Sequence, residues 1–320
     1  MRTIGIEYAA KGKMRFKDLG EPTKLGATEV LIHTRYSGIT NGTERHALLA
    51  EHGWGQFPSA HGYQCVGTIE AVGDAVADFE VGDWVFYGHY IGHRGWHVVD
   101  VSLPNGMHLC QPLPPGDDYK RFALLGVAGV AMRGARRCRV APAQNVWVAG
   151  LGMIGQFAAQ SARALGARVT VSDINDRRLA VAAELGAHRV LDAREPTIMD
   201  ALKERGPYAC ILDCCGVESL LMDIFHAGLV PHGGVVGCLA VRSETTFHWS
   251  MLHTTEGSIE VSCHFGLDDL KVLIHFIEQG IIRVEPLVSH VVGIDEAPKI
   301  YETLRDRPGD LLGVIFDWAA

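Results

Sequence analysis

The chain has 320 residues, 48% hydrophobic and 21% charged, which makes it globular and long enough for two domains. With 29 basic against 37 acidic residues the net charge is −8 and no Lys/Arg-rich block occurs. That balance argues against nucleic acid and anionic membrane as partners and leaves a small-molecule substrate. No apolar stretch is long enough to span a bilayer and residues 1–7 hold no signal-peptide core, so a cytoplasmic location is expected. The eight cysteines form no CxxC pair, and most read as small hydrophobes within strands, as in Ala209-Cys210-Ile211-Leu212.

From about residue 25 to 110, β-like runs alternate with glycine turns: Val30 to Thr34, Val66 to Val72, then Trp84 to Tyr87. This predicts a compact, mainly β domain. From about 128 to 264 the pattern changes to alternating strands and helices. Helical periodicity runs through Gln156 to Leu165 and Arg177 to Leu185, and strands are expected at Ala209 to Leu212 and Val235 to Val236. Such alternation implies right-handed crossovers and a parallel sheet, hence an α/β chain. A helix around Leu270 to Gln279, a strand at Val288 to Val292, a helix from Asp295 to Leu304 and a strand from Val314 to Asp317 close the sequence. The expected boundaries are therefore 1–127, 128–264, and 265–320 as a return to the first domain.

Within the α/β part, the apolar run Asn145 to Ala149 leads into Gly150-Leu151-Gly152-Met153-Ile154-Gly155, and a second β-like run, Arg168 to Ser172, ends in Asp173. Strand, glycines, helix, strand and acid in register are a dinucleotide-binding fingerprint. Gly150 permits the turn, Gly152 a close approach to pyrophosphate, and Gly155 the packing of helix on strand. The helix N-terminus, with Met153 and Ile154, offers N–H groups to the anion. Asp173 suits the ribose hydroxyls of NAD and repels the 2′-phosphate of NADP, so NAD is the expected cofactor.

Taken in order, Glu29 to Ile32, Gly38 with Asn41-Gly42-Thr43-Glu44, Gly62 through Gly67, Val81 to Val85, the fingerprint, and Asp173 with Arg178 and Leu185-Gly186-Ala187 resemble the medium-chain dehydrogenase/reductase superfamily over essentially the whole chain. The resemblance implies a GroES-like, β-rich catalytic domain joined to a Rossmann domain with a doubly wound parallel sheet, and a homodimer. It also implies that Arg178 flanks the adenine and that Cys238, Leu239 and His264 contact the nicotinamide, largely by backbone. Many relatives hold a catalytic zinc. The matching positions here are Asn41, Tyr63 and Val127, with Gln64 for an accompanying glutamate, so no metal is expected there. A histidine-rich set, His61, Cys65, His89, His93 and His97, is the alternative place for a metal, against the simpler reading that these line a polar cleft or the surface.

The resemblance further implies proton transfer through a hydroxyl side chain and a histidine, which match Thr43 and His46, with Glu44 in support. Without zinc, something must still polarise the substrate oxygen. Tyr63 is the candidate electrophile and acid, with Asn41 assisting. The loop from Tyr87 to Trp96 is expected to face substrate through His89, His93 and Trp96, with Trp54 walling the cleft. The expected activity is zinc-independent, NAD-dependent oxidation of a secondary alcohol such as a sugar or cyclitol. The alternatives are an enone or quinone reductase, a bacteriochlorophyllide-type hydroxyethyl dehydrogenase suggested by Ser37 to Glu44 and Gly62-Tyr63, and a non-catalytic NAD(H)-binding protein.

Overall fold

The computed structural model describes residues 2–53, 55–88, 90, 92–102 and 109–320. Trp54 and His89, two of the expected substrate contacts, lie outside the described residues. Two compact units form: residues 1–126, 266–274 and 288–320 make the first, and residues 127–265 and 275–287 the second.

The chain opens with an antiparallel hairpin, β1 (Ile4–Ala10) and β2 (Lys13–Asp18), turned at Gly12. β3 (Glu29–Gly38) follows, with Val30, Ile32 and Thr34 buried in alternation, as a strand half-facing a core requires. Helix α1 (Asn41–Leu48) leaves its end, and β4 (Cys65–Val72), β5 (Trp84–Gly88), β6 (Trp96–Asp100) and β7 (Leu109–Pro112) complete the first pass. β3 pairs antiparallel with both β4 and β6, so it is the spine of this sheet.

Helix α2 (Leu125–Arg137) leads into the second unit. There β8 (Asn145–Ala149), α3 (Met153–Ala164), β9 (Arg168–Asp173), α4 (Asp176–Glu184), β10 (Arg189–Asp192), α5 (Ile198–Lys203), β11 (Cys210–Asp213), α6 (Leu220–Ala227), β12 (Val235–Cys238), α7 (Trp249–His253) and β13 (Ser258–Val261) alternate. Their strands form one parallel sheet in the order β10-β9-β8-β11-β12-β13 among the described residues. The order reverses at β8, so the crevice for a ligand opens beyond its carboxyl end.

The last segment corrects the expected single return of 265–320. After α8 (Leu267–Glu278), residues 275–287 cluster with the second unit. The reason is a reciprocal pair of bonds: Gln160 Oε1 accepts the Arg283 N–H at 2.8 Å and its Nε2 donates to the Arg283 carbonyl at 3.0 Å. β14 (Val288–Gly293), α9 (Ala297–Asp306) and β15 (Gly313–Asp317) then rejoin the first unit, where β15 pairs antiparallel with β3. Ile300, Tyr301, Leu304, Phe316 and Trp318 bury there with Ile6, Tyr8 and Ile39.

Candidate active site

The second unit carries the anion-binding turn. Gly150 has φ +89°, and a Cβ there would lie 2.7 Å from that of Cys215. A Cβ on Gly155 would sit 1.8 Å from the Gly150 carbonyl oxygen, so α3 rests directly on the turn. Gly152 differs: it caps α3 without a side-chain bond, and a Cβ there meets nothing within 4 Å. The first N–H groups of α3, from Met153 and Ile154 onward, thus border open space that a phosphate fits. These residues fit a dinucleotide.

At the end of β9, Asp173 is buried. It accepts the Leu151 N–H and, at 2.9 Å, that of Asn175, while Arg178 Nη1 stands 3.9 Å from it. Each carboxylate oxygen retains lone-pair capacity for a ribose hydroxyl. Arg178 Nε is buried without a partner. Cys238, at the end of β12, and Leu239 after it are buried. His264 has φ +66° and packs its ring on Phe265; burial, then the Arg133 charge, holds its pKa below the usual imidazole value. One feature of this edge escaped the sequence reading. Asp213, fully buried at the end of β11, pairs with Arg242 and accepts the Cys215 and Gly216 N–H groups, clamping the loop that abuts Gly150. An acid closing an apolar strand just before Cys214-Cys215-Gly216 was its sequence signal.

The first unit carries the acid–base groups. α1 starts at Asn41 and brings Thr43 and His46, three residues apart, onto one face. Contrary to expectation, Asn41 has no amide hydrogen to offer a substrate: its Nδ2 donates to the carbonyls of Leu312 (2.8 Å) and Leu311 (3.3 Å), leaving Oδ1 buried and without a partner. Tyr63 is buried, with its ring 5.5 Å from that of Tyr90. The adjacent Gln64 donates to the Gly38 carbonyl (3.1 Å) and Thr40 Oγ1 (3.3 Å), pinning the Tyr63 segment to the start of α1. Gly126 closes in from the other side, since a Cβ there would lie 2.9 Å from that of Gln64 and 3.2 Å from Tyr63. The zinc positions do not fit a zinc. The Asn41 amide is committed to backbone carbonyls and Val127 has no donor atom.

The opposite face of α1 is buried and charged. Glu44 accepts the Thr40 N–H (2.8 Å), the hydroxyls of Tyr8 (3.2 Å) and Tyr301 (2.5 Å), and a His93 Nε2 contact at 3.1 Å. Burial pushes its pKa up, but His93, the Tyr301 hydroxyl and the Thr40 N–H outweigh it and hold the carboxyl below the ordinary range. His93 Nδ1 lies 2.8 Å from Ser37 Oγ, which also accepts the Trp318 Nε1–H at 2.9 Å. His93 is thus no substrate contact, contrary to expectation: its side chain is 0% exposed and serves as a strut for Glu44. Trp96 is likewise corrected, because it is buried in β6 and donates Nε1–H to the Gly20 carbonyl at 3.1 Å.

The histidine-rich set, the alternative place for a metal, does not come together as ligands among its described members. His61 stacks on Tyr8, His97 meets the Tyr87 ring edge-on, and burial pushes the Cys65 thiol up to about 12. A different trio does converge. Donor atoms of His46, Glu51 and His52 lie within 4.8 Å of one another. His46 Nδ1 is 2.6 Å from Glu51 Oε2, and Arg45 Nη1 donates to the same carboxylate. Burial raises the Glu51 pKa, but the His46 bond and the charges of Arg45, His46 and His52 lower it further, for a net depression.

Two family models match the chain: "Alcohol dehydrogenase GroES-like domain" over residues 26–164 and "Zinc-binding dehydrogenase" over residues 153–279. D-xylulose reductase A of Aspergillus oryzae is 27% identical, covering 93% of this chain and 92% of its own length. L-threonine 3-dehydrogenase of Rhizobium rhizogenes is 28% identical, with 92% of each covered. Among solved structures, an Escherichia coli oxidoreductase/dehydrogenase of unknown specificity superposes with a TM-score of 0.87 at 21% identity, covering 99% of each chain.

Proposed function

We propose that this chain, which belongs to the medium-chain dehydrogenase/reductase superfamily, is an NAD-dependent dehydrogenase of polyol-type secondary alcohols that works without zinc at the Asn41 and Tyr63 positions. The observation that carries the reading is Asn41, whose amide hydrogens are taken by Leu311 and Leu312 while its buried Oδ1 has no partner. A buried acceptor of this kind suits a hydroxyl ligand.

The Gly150 to Gly155 turn and Asp173 would hold the nicotinamide dinucleotide, which when bound supplies the hydride acceptor. The remaining chemistry falls to side chains of the first unit. Asn41 Oδ1 accepts the substrate hydroxyl and orients it. The Tyr63 phenol donates to the oxygen as negative charge develops there. As hydride leaves, the hydroxyl proton shifts from its bond to Asn41 onto Thr43 Oγ1, which passes its own proton to His46 Nε2, and Glu51 fixes the imidazole by its bond to Nδ1. Asp173 favours NAD over NADP through the repulsion a 2′-phosphate would meet. The relatives named for sugar and hydroxy-amino-acid substrates support a polar secondary alcohol.

The test follows nicotinamide absorbance with chelator-treated protein, offering NAD and NADP with pentitols, hexitols, cyclitols and simple secondary alcohols. Turnover with NAD after chelation is the expected result. Turnover that appears only on adding zinc back overturns the zinc-free mechanism, and reduction of enones or quinones alone overturns the alcohol assignment.

A further inference from the structure

The end of α1 is built to bring three metal-ligating side chains together. In a continuing helix, Glu51 and His52 would point roughly 140° and 240° around the axis from His46. The chain instead reverses. Ala50 takes φ +56°, and the Glu51 N–H bonds back to the carbonyl of His46 itself at 2.9 Å. This is the left-handed helix stop in which the second residue past the end folds over the last turn. His52, also left-handed at φ +53°, turns the chain again and sets its ring edge-on to that of His46, with centroids 4.5 Å apart. Two non-glycine residues in this conformation within three positions are held by what surrounds them.

We propose that His46, Glu51 and His52 form a binding site for a zinc-class divalent cation, and that filling it withdraws His46 from proton transfer. Two imidazoles and one carboxylate are a zinc donor set that leaves a fourth position for water. Nitrogen donors in the majority select zinc-class ions over magnesium or calcium. The movement needed is small. Zinc arms of about 2.0 to 2.1 Å set tetrahedral donors roughly 3.3 Å apart. The His46–Glu51 contact of 2.6 Å must therefore open by under about an ångström, and His52 must close in from within 4.8 Å. Solvent reaches all three, since His46 is 23% and Glu51 36% exposed, and His52 is exposed. Arg45, on both Glu51 oxygens at 3.2 and 3.3 Å, orients the carboxylate and also opposes the cation's charge, so binding is weaker than in a closed structural site.

The site is distinct from the Asn41 and Tyr63 positions. Its second half rests on the dehydrogenase reading, because only there does His46 carry a proton. A cation on Nδ1, the nitrogen that faces Glu51, fixes the tautomer with the proton on Nε2 and leaves no lone pair to accept another, so the ion acts as an inhibitor of turnover.

The experiment uses the full chain, stripped with chelator, and titrates Zn²⁺ against a chromophoric competitor, with Co²⁺ absorption as a report of tetrahedral geometry. One ion per chain is expected. Affinity should fall at least roughly tenfold in Glu51→Gln and in His52→Asn, while His61→Ala leaves it unchanged. Asn tolerates the left-handed backbone, so His52→Asn removes the imidazole without straining the turn. Zn²⁺ should inhibit turnover of the wild type with the same midpoint, and His52→Asn should keep basal turnover while losing that sensitivity. No stoichiometric binding, or binding indifferent to both variants, overturns the site and leaves the hydride chemistry untouched. Tight binding without inhibition overturns the second half of the proposal and removes His46 from the proton path.

Discussion

Replacing Glu44 by Gln removes a charge that four groups converge upon, and the structure sets the size of the loss. The Thr40 N–H and the hydroxyls of Tyr8 and Tyr301 donate to the carboxylate, and His93 Nε2 lies against both oxygens. Hydrogen bonds to an ionised partner contribute about 1.5–3 kcal/mol each. The two phenols can rotate to accept from the new amide, which keeps the Thr40 bond intact but leaves each phenol proton without its acceptor. Losing the equivalent of two charge-assisted bonds removes about 3–6 kcal/mol. Relief from burying an ion returns part of it, for a net destabilisation of about 2–4 kcal/mol.

Guanidinium unfolding reads the loss, and hydrogen exchange places it. Protection should fall in β1 and α9, which carry Tyr8 and Tyr301, and persist in β8 and β11. The sign with pH follows from the depressed pKa of Glu44. Its contribution is fully present above the ordinary carboxylate value, about 4.3, and is lost as pH falls through the lower folded value. The gap between wild type and variant is therefore flat near neutrality and narrows in acid. A stability change under about 0.5 kcal/mol at neutral pH, or deprotection confined to the parallel sheet, refutes the assignment of Glu44 as an ionised anchor.

Asp173→Ala should narrow the preference for NADH over NADPH by about tenfold or more in fluorescence titrations; an unchanged ratio removes Asp173 from the ribose. Gly152→Ala and Gly155→Ala should separate binding from folding. A Cβ at 155 collides with the Gly150 carbonyl, so that variant melts early, whereas one at 152 enters open space, keeps the melting temperature and weakens NADH binding. Equal behaviour of the pair in both assays contradicts the phosphate-cradle reading. Tyr63→Phe should lower kcat about 10²-fold with the dissociation constant of NADH unchanged, and undiminished kcat would make Tyr63 a filler.

The parts legible in the sequence are those whose signal is local. The fingerprint from Asn145 to Gly155 declared itself because strand, turn and helix start lie within eleven residues, with Gly155 packed on the Gly150 carbonyl five residues back, and β8, α3 and β9 fall where the pattern puts them. Short strands such as β10 and β13 hold four residues each, intermediate in burial apart from the exposed Val261, with no alternation to read. His93 was misread for a different reason. A histidine among glycines looks exposed, yet its partners are Ser37 and Glu44, 56 and 49 residues away, and only the pairing of the β3 region with later chain brings them together. Asn41 was expected to help as a donor, but the carbonyls of Leu311 and Leu312 that take its amide hydrogens come from 270 and 271 residues downstream.

The same helix therefore answers two demands with opposite faces. Glu44, Ala47 and Leu48 are buried, so the charge at Glu44 fixes the rotation of α1 about its axis. That rotation decides where Thr43 and His46 point, and the stop at Ala50 decides what His46 meets. Scaffold and chemistry are thus separable by kinetics. A variant of the anchor, such as His93→Gln, should degrade kcat and stability together, because it loosens the whole helix. Loss of Glu51 should alter the pH profile of turnover while leaving stability within about 0.5–1 kcal/mol, because Glu51 is itself 36% exposed and pairs with the partly exposed His46 and Arg45.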